Sequence, residues 1–265
     1  MTFSALEALL ASHGIPDAKT DARLLLSHFC GVSAAMLYAD RARDYQSEAL
    51  TDAIARRLAR EPLQHILGEA YFFGERYFVS RDCLSPRADT ELLVEEACRT
   101  LPEGALFADL CTGSGCIALA LLSARPDLSA IAVDVSEKAL AIARKNADAL
   151  GLSARVEFVC CDLLADGLPF PMPEYILSNP PYIRTDVIPT LAPELAYEPT
   201  LALDGGDDGL VFYRTFLDRF APARFYFEIG FDQKDAVIAL GTKKGYTARA
   251  LRDAGGCDRL VILEK

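Results

Sequence analysis

The chain of 265 residues contains no uninterrupted apolar stretch of the length needed to cross a bilayer. Its first ten residues lack a basic leader, and Glu7 breaks their apolar run, so the pattern of a secretory signal is missing. The expected compartment is the cytoplasm. None of the eight cysteines forms a Cys-x-x-Cys pair, and no histidine stands at zinc-finger spacing from them. Most lie in apolar runs such as Phe158-Val159-Cys160-Cys161, where a thiol behaves as a small hydrophobe, so reduced cysteines and no structural metal are expected. Positive charge is also scarce. The net charge is −11, and residues 1–75 hold 7 basic and 10 acidic side chains, which leaves −8 on residues 76–265. That balance disfavours a protein built to hold a phosphate backbone, and no basic arm interleaved with aromatics occurs. Direct nucleic-acid binding is therefore not expected. There is no internal repeat or low-complexity stretch.

What is present divides into two textures. In the first, Leu6, Leu9, Leu10 and His13 lie at helical spacing until Gly14-Ile15-Pro16 stops the run. Asp21 to Cys30 repeats the pattern through Leu24, Leu25, His28 and Phe29, with Gly31 at the stop. Ser33 and Ser47 are placed to cap further helices, the latter with Leu50, Ile54 and Leu58 on one face and Arg56, Arg57 and Arg60 mostly off it. His13, His28 and His65 read as packing or surface residues. A small helical bundle over residues 1–74 is expected. Tyr71-Phe72-Phe73-Gly74 and Tyr77-Phe78-Val79 then suggest a β-hairpin, with the joint between domains at 75–88.

From residue 89 to 265 short apolar strands alternate with helical stretches. Leu106–Leu110, Ala130–Val133, Arg155–Val159, Tyr175–Leu177 and Phe225–Ile229 read as strands; Ile117–Ala124 and a run capped by Ser136 read as helices. This alternation makes a parallel, doubly wound α/β sheet with helices on both faces. The last two strands, about Tyr246–Leu251 and Arg259–Leu263, are too close for a crossover helix and must form an antiparallel hairpin.

The chemistry gathers at strand ends. Asp109-Leu110-Cys111-Thr112-Gly113-Ser114-Gly115 follows the first strand and opens a helix, where ligands of open sheets collect. Ala118 stands where a dinucleotide fingerprint has its third glycine, so only the G/A form of that pattern fits. Asp134 ends the second strand, where a carboxylate accepts from ribose hydroxyls in methyl-donor and dinucleotide enzymes alike. Asp162 ends the third and could meet an adenine amine, with Leu163 packing on the ring. Three successive strands ending in an acid favour a shared nucleoside site.

The fourth strand ends in Ser178-Asn179-Pro180-Pro181-Tyr182. An amide or aryl amine nitrogen is a weak nucleophile because its lone pair is delocalised. The Asn179 side-chain oxygen and the Pro180 carbonyl can each accept one N–H and orient such a nitrogen. Pro180 and Pro181 hold the carbonyls rigidly and offer no competing N–H, and Tyr182 provides a flat face for stacking. An intrinsically activated donor, S-adenosylmethionine, needs positioning more than a strong base. Glu194, Glu198 and Asp204 lie in a long 183–208 connection that reads as a substrate lid, with Gly205-Gly206 as bendable points.

With these residues in view the chain resembles the HemK/PrmC family of peptide chain release factor glutamine methyltransferases over nearly its whole length. The resemblance runs through Glu61-Pro62-Leu63-Gln64-His65-Ile66-Leu67-Gly68, Pro86-Arg87-Ala88-Asp89-Thr90-Glu91 and the 109–115 loop. It continues through Asn179 to Tyr182, Glu198-Pro199 with Ala202-Leu203 and Gly205-Gly206, Asp208-Gly209-Leu210 to Tyr213-Arg214, and Glu228-Ile229-Gly230. It implies a five-helix N-terminal domain that docks the partner and a Rossmann-like catalytic domain that binds S-adenosylmethionine. It also implies methylation of the glutamine in the Gly-Gly-Gln loop of class I release factors, with S-adenosylhomocysteine as product. Residues 111–115, Asp134, Leu163 and Asn179 fall where the family contacts the cofactor, and Asn179 to Tyr182 where it holds the glutamine. Ala88 departs from the family's usual proline, which implies a less rigid joint. The alternatives are a ribosomal protein L3 glutamine methyltransferase, an adenine-N6 or guanine-N2 nucleic-acid methyltransferase, which share the Asn-Pro-Pro-Tyr motif, and a dinucleotide-binding oxidoreductase, which leaves that motif idle.

Overall fold

The computed structural model describes residues 1–165 and 170–265. They divide into two compact units, Met1–Gly68 with Ala192–Tyr197, and Glu69–Leu191 with Glu198–Lys265. No helix among the described residues is long and apolar enough to cross a membrane.

The first unit contains α1 (Phe3–Ser12), α2 (Ala18–Cys30), α3 (Ala34–Ala39), α4 (Glu48–Leu58) and α5 (Leu63–Leu67). Hydroxyls start three of them. Thr2 accepts from the Ala5 N–H, Ser33 from Met36 and Ser47 from Leu50, which satisfies one orphan donor at each helix start. Phe3, Leu6, Leu10, Ala22, Leu25, Leu26 and Leu37 are fully buried and form the core. Arg57, which the sequence pattern sets off the apolar face, is instead buried. Its guanidinium donates to Asp21 at 2.7 Å, to the Glu61 carbonyl at 3.2 Å and to Glu194 at 3.2 Å. Arg60 donates to the other Glu194 oxygen at 2.9 Å. Burial of the arginine is possible because carboxylates meet it from two sides.

The second unit opens with a hairpin, β1 (Glu69–Phe72) and β2 (Glu75–Phe78), joined by Phe73 and Gly74, both at positive φ. Phe72 and Tyr77 bury against the helices of this unit, so the division falls at residue 68 and the hairpin lies wholly beyond it. The expected joint at 75–88 thus starts inside the hairpin. After it come α6 (Glu91–Thr100), β3 (Leu106–Leu110), α7 (Cys116–Ala124), β4 (Ser129–Asp134), α8 (Glu137–Leu150), β5 (Val156–Cys160) and β6 (Tyr175–Ser178). Then follow α9 (Val211–Arg219), β7 (Arg224–Glu228), α10 (Lys234–Lys243), β8 (Thr247–Arg252) and β9 (Asp258–Glu264).

The sheet order is β5-β4-β3-β6-β7-β9-β8, parallel except for β9, which runs antiparallel to β7 and to β8. The expected doubly wound sheet with a terminal antiparallel hairpin is what the chain builds. Side chains alternate between its faces. Ala108, Leu110, Phe225 and Phe227 pack with Phe212, Tyr213 and Phe216 of α9; Phe107 and Tyr226 pack with Leu93 and Val94 of α6 and with α7.

The 183–208 connection is braced by its own packing. Short 3-10 turns occupy Ile188–Thr190, Pro193–Tyr197 and Thr200–Ala202, and Ile183 bridges Asp204. The Glu198 carboxylate is buried under Arg87, at 2.7 Å, and the Ser85 N–H, at 3.3 Å. Gly205 is close-packed against its neighbours. A Cβ there would lie 2.7 Å from the Tyr182 Cα and 2.9 Å from the Pro181 carbonyl, so the glycine permits close backbone approach.

Replacing Glu194 with Ala is expected to lower stability by about 1–3 kcal/mol, because Arg60 loses its carboxylate and Arg57 keeps only the Asp21 carboxylate and the Glu61 carbonyl. Denaturant unfolding measures the loss, and limited proteolysis should show faster cleavage within residues 183–200; an unchanged midpoint and cleavage rate would contradict the pairing.

Candidate active site

Strands β3, β4, β5 and β6 run in one direction, so their carboxyl ends share one edge. The order reverses at β3, with β4 and β5 on one side and β6 and β7 on the other, and this is where a crevice opens in such sheets. A cleft of about 880 Å³, counting its part open to solvent, lies at this edge. Of the residues singled out from sequence, Cys111, Gly113, Asp134, Asp162, Leu163, Asn179 and Pro181 line it. Asp109, Thr112, Ser114, Gly115, Pro180 and Tyr182 are not in its wall.

Asp109 lies beneath the loop, fully buried. Its Oδ2 accepts from the Thr112 hydroxyl at 2.6 Å and the Ala118 N–H at 3.2 Å, while Oδ1 has no partner among the described residues. Burial lifts its carboxyl to about 7, an effect those two hydrogen bonds only partly offset. Asp109, one of the three strand-end acids expected to share a nucleoside site, therefore holds the loop from below. Cys111, a non-glycine residue at φ +63°, carries backbone strain at the cleft wall. Gly115 (φ +80°) is required for packing as well, since a Cβ would approach Ala143 and Leu119 to 3.1 Å. Asn146 on α8 ties the loop to the hairpin by donating to the Ser114 carbonyl at 2.9 Å and to the Phe78 carbonyl at 3.1 Å. The sign of this in the sequence is one polar residue on the buried stripe Ala139, Leu140, Ala143 and Ala147.

Asp134 accepts one backbone N–H on each oxygen, from Gly113 and from Ser136, both at 2.9 Å. Each oxygen keeps acceptor capacity for a ligand. Burial raises its carboxyl above the ordinary value, with the Ser136 and Gly113 bonds opposing. Asp162 accepts from Leu164 at 2.9 Å and turns the chain so that buried Leu163 lines the cleft. Much of the wall is apolar and was given no site role from the sequence: Leu84, Ala139, Pro199, Leu201, Ala202 and Phe212, with the thiols of Cys83 and Cys161. Burial pushes the Cys83 thiol up to about 11, so it stays protonated and acts as a small hydrophobe.

Asn179 is half-buried at the end of β6 and donates from Nδ2 to the Thr90 hydroxyl at 3.3 Å. No protein donor meets its Oδ1 among the described residues. Tyr182 lies behind the cleft wall. Its hydroxyl donates to Glu228 Oε1 at 3.4 Å, and its carbonyl accepts from Gln233 Nε2 at 2.9 Å. Gln233 also donates to the Gly209 carbonyl at 3.1 Å, clamping both flanks of the long connection. Burial, with the Glu228 carboxylate beside it, raises the Tyr182 hydroxyl, so it remains a neutral donor. Thr90, Glu228 and Gln233 received no role from the sequence pattern, because their partners are remote in the chain.

Residues 3–68 match the family described as PrmC N-terminal domain, and residues 87–206 the methyltransferase small domain. The release factor glutamine methyltransferase of Caulobacter vibrioides is 39% identical over 272 residues, spanning 98% of this chain and 94% of that protein. Its counterpart in Cereibacter sphaeroides is 43% identical over 267 residues, spanning 95% of this chain and 93% of that protein. A chain of the E. cuniculi Mtq2-Trm112 complex superposes with a TM-score of 0.51 at 22% identity, covering 69% of this chain and 99% of its own. The hMettl16 catalytic domain gives 0.55 at 13% identity, covering 82% of each chain. Those two likenesses concern the fold. A parallel sheet closed by an antiparallel hairpin, a glycine loop after its central strand and Asn-Pro-Pro-Tyr at the reversal point make this a Rossmann-like methyltransferase. Identity across nearly the full length then assigns the chain: it belongs to the release factor glutamine methyltransferase family.

Asp109 gives the site a pH signature. Its carboxyl stands near 7 when folded and at the ordinary 3.8 when unfolded, so the folded state holds an extra proton between those values. Its contribution is most favourable below about pH 4 and is lost as pH rises through about 7. In Asp109→Asn the slope of unfolding free energy against pH in that window should become less negative by up to about 1.4 kcal/mol per pH unit. Denaturant melts from pH 4 to 8 test this, and an unchanged slope would place the proton elsewhere.

Proposed function

We propose that this chain transfers a methyl group from S-adenosylmethionine to the side-chain amide nitrogen of the glutamine in the Gly-Gly-Gln motif of class I release factors, releasing S-adenosylhomocysteine. The observation that carries the reading is Asn179. It stands in the cleft wall with its NH₂ held by Thr90 and its carboxamide oxygen unmet, so it offers an acceptor to an incoming N–H.

The residues suit the donor. The Asp134 oxygens retain acceptor capacity for ribose hydroxyls, and Leu163, Ala139, Phe212 and Cys161 provide apolar surface for a purine. Asp82, Asp134 and Asp162 give the cleft a negative lining that favours a cationic ligand. We assign cofactor contacts to Cys111, Thr112, Gly113, Ser114 and Gly115 through their backbone, and to Asp134, Asp162, Leu163 and Asn179; Asp109 shapes the loop from beneath. When bound, the donor supplies an already activated methyl group.

The remaining work is placement. Asn179 Oδ1 and the Pro180 carbonyl accept the two N–H groups of the glutamine amide, pulling its lone pair toward the cleft. Pro181 fixes the turn, and Tyr182, held by Glu228 and Gln233, supports the flat amide group. The partner-docking role falls to the helical unit, Met1–Gly68, which matches the PrmC N-terminal domain.

Incubation with S-adenosylmethionine and a purified class I release factor should add one methyl group to the Gly-Gly-Gln peptide, read by peptide mass spectrometry. A shift on a ribosomal protein instead, with none on the release factor, would overturn the substrate. Asn179→Ala should lower turnover by about 10²-fold or more while the calorimetric affinity for S-adenosylmethionine changes little.

A further inference from the structure

We propose that Thr90 and Glu228 form a hydrogen-bond relay that fixes which way the Asn179 carboxamide faces, and so are positioning residues for methyl transfer. Only the choice of substrate in the kinetic test rests on the glutamine reading; the relay itself can be observed without any substrate.

Thr90 occupies the N-cap position of α6, where a threonine hydroxyl normally accepts from the helix's own N–H groups. It makes no such bond. Its hydroxyl, in a residue only 2% exposed, accepts from Asn179 Nδ2 at 3.3 Å, and it lies near enough to the Glu228 carboxylate to favour that group's charged form. Thr90 ends a 3-10 turn, Ala88–Thr90, that runs straight into α6, and its own backbone is helical (φ −69°, ψ −20°), so the hydroxyl is not placed to cap and is left for side-chain partners.

The sheet delivers the partners. Ser178 of β6 pairs with Phe227 of β7, so Asn179 and Glu228 follow as the next residues on adjacent parallel strands. The period-two alternation puts Glu228 on the same face as Tyr226, the face covered by α6. Glu228 is 2% exposed, accepts from Tyr182 at 3.4 Å, and has one oxygen without a partner among the described residues. Such a carboxylate is costly to keep, and its place beside the Asn-Pro-Pro-Tyr turn gives it a purpose.

The direction of the relay follows from donor counting. A threonine hydroxyl has one proton. An ionised Glu228 can only accept, so Thr90 spends its proton there and must act as acceptor toward Asn179. The Asn179 NH₂ is therefore turned to Thr90, and the oxygen is left for the substrate. A flipped carboxamide would present donors to an amide N–H and repel it. Glutamine at 228 can donate to Thr90, free the threonine proton for Asn179, and reverse the relay.

The test compares Thr90→Val, Thr90→Ser and Glu228→Gln with the wild type at about pH 8, above the value near 7 to which burial lifts Glu228. Thr90→Val and Glu228→Gln should each lose about 10²-fold in kcat on a release factor, with the Kd for S-adenosylmethionine within about threefold. Thr90→Ser should recover kcat to within about threefold, and the double variant should lose no more than the worse single one. Glu228→Gln should keep or raise the melting temperature at this pH, since it removes a buried charge, whereas a purely structural role would lower it. In ¹⁵N spectra of the protein alone, the Asn179 side-chain NH₂ signal, assigned by its loss in Asn179→Asp, should move in Thr90→Val and Glu228→Gln and stay in Thr90→Ser. Unmoved NH₂ signals, or kcat retained in both Thr90→Val and Glu228→Gln, would overturn the relay. Failure of the wild type on release factors with the NH₂ shifts as expected would overturn the substrate and leave the relay standing.

Discussion

Everything in the catalytic unit depends on the parallel pairing of β3 with β4 on one side and β6 on the other. Parallel strands buried on both faces favour apolar side chains along their length, so Ala108, Leu110, Ala132, Val133, Ile176 and Leu177 are apolar and buried. Polar residues survive where the strands stop, and because the strands run together they stop at one edge. The order reversal at β3 splits the crossover helices to opposite faces and opens the cleft there. A one-residue slip of β6 would turn Asn179 to the α9 face and separate it from Thr90 and Glu228.

The buried polar groups near this edge divide into those that face the cleft and those that hold it in shape. Asp134 and Asp162 line it, each with a carboxylate oxygen already satisfied by backbone N–H groups. Asp109 and Glu228 lie behind it, fully enclosed, each with one oxygen unmatched and its carboxyl lifted to about 7. Burying a carboxyl in this way is unfavourable, and both instances fall directly under the loop and the turn that carry the chemistry. The rest of the unit is ordinary close packing, which is what allows two such sites to be tolerated.

The long connection after Tyr182 follows the same logic of anchoring. Glu194 sits among Arg57 and Arg60 of the helical unit, and Glu198, four residues on, is buried under Arg87 at the cleft's own unit. Pro199, Leu201 and Ala202 then line the cleft, and Gly205 passes close against the Pro181–Tyr182 backbone. A segment that reads as a substrate lid is held at Glu194 and Glu198 by charge pairs and at Gly205 by close backbone contact.

The sequence by itself determined what local pattern and short spacing control. The alternation of strand and helix, the serine caps at 33, 47 and 136, the antiparallel terminal hairpin and the run of acids and Asn-Pro-Pro-Tyr at strand ends are all legible, because each depends on neighbours within a few residues or on a fixed period. What the tertiary structure decided were the partnerships across the chain. Arg57 is buried because Asp21 and Glu194 come to it from 36 and 137 residues away. Asp109 is a brace and not a wall residue because the loop folds back over it. Thr90 bonds to Asn179, 89 residues away, because β6 brings that residue beside it. Such contacts leave no mark in local composition, since a threonine before a helix looks the same whether its hydroxyl caps that helix or orients an active-site amide.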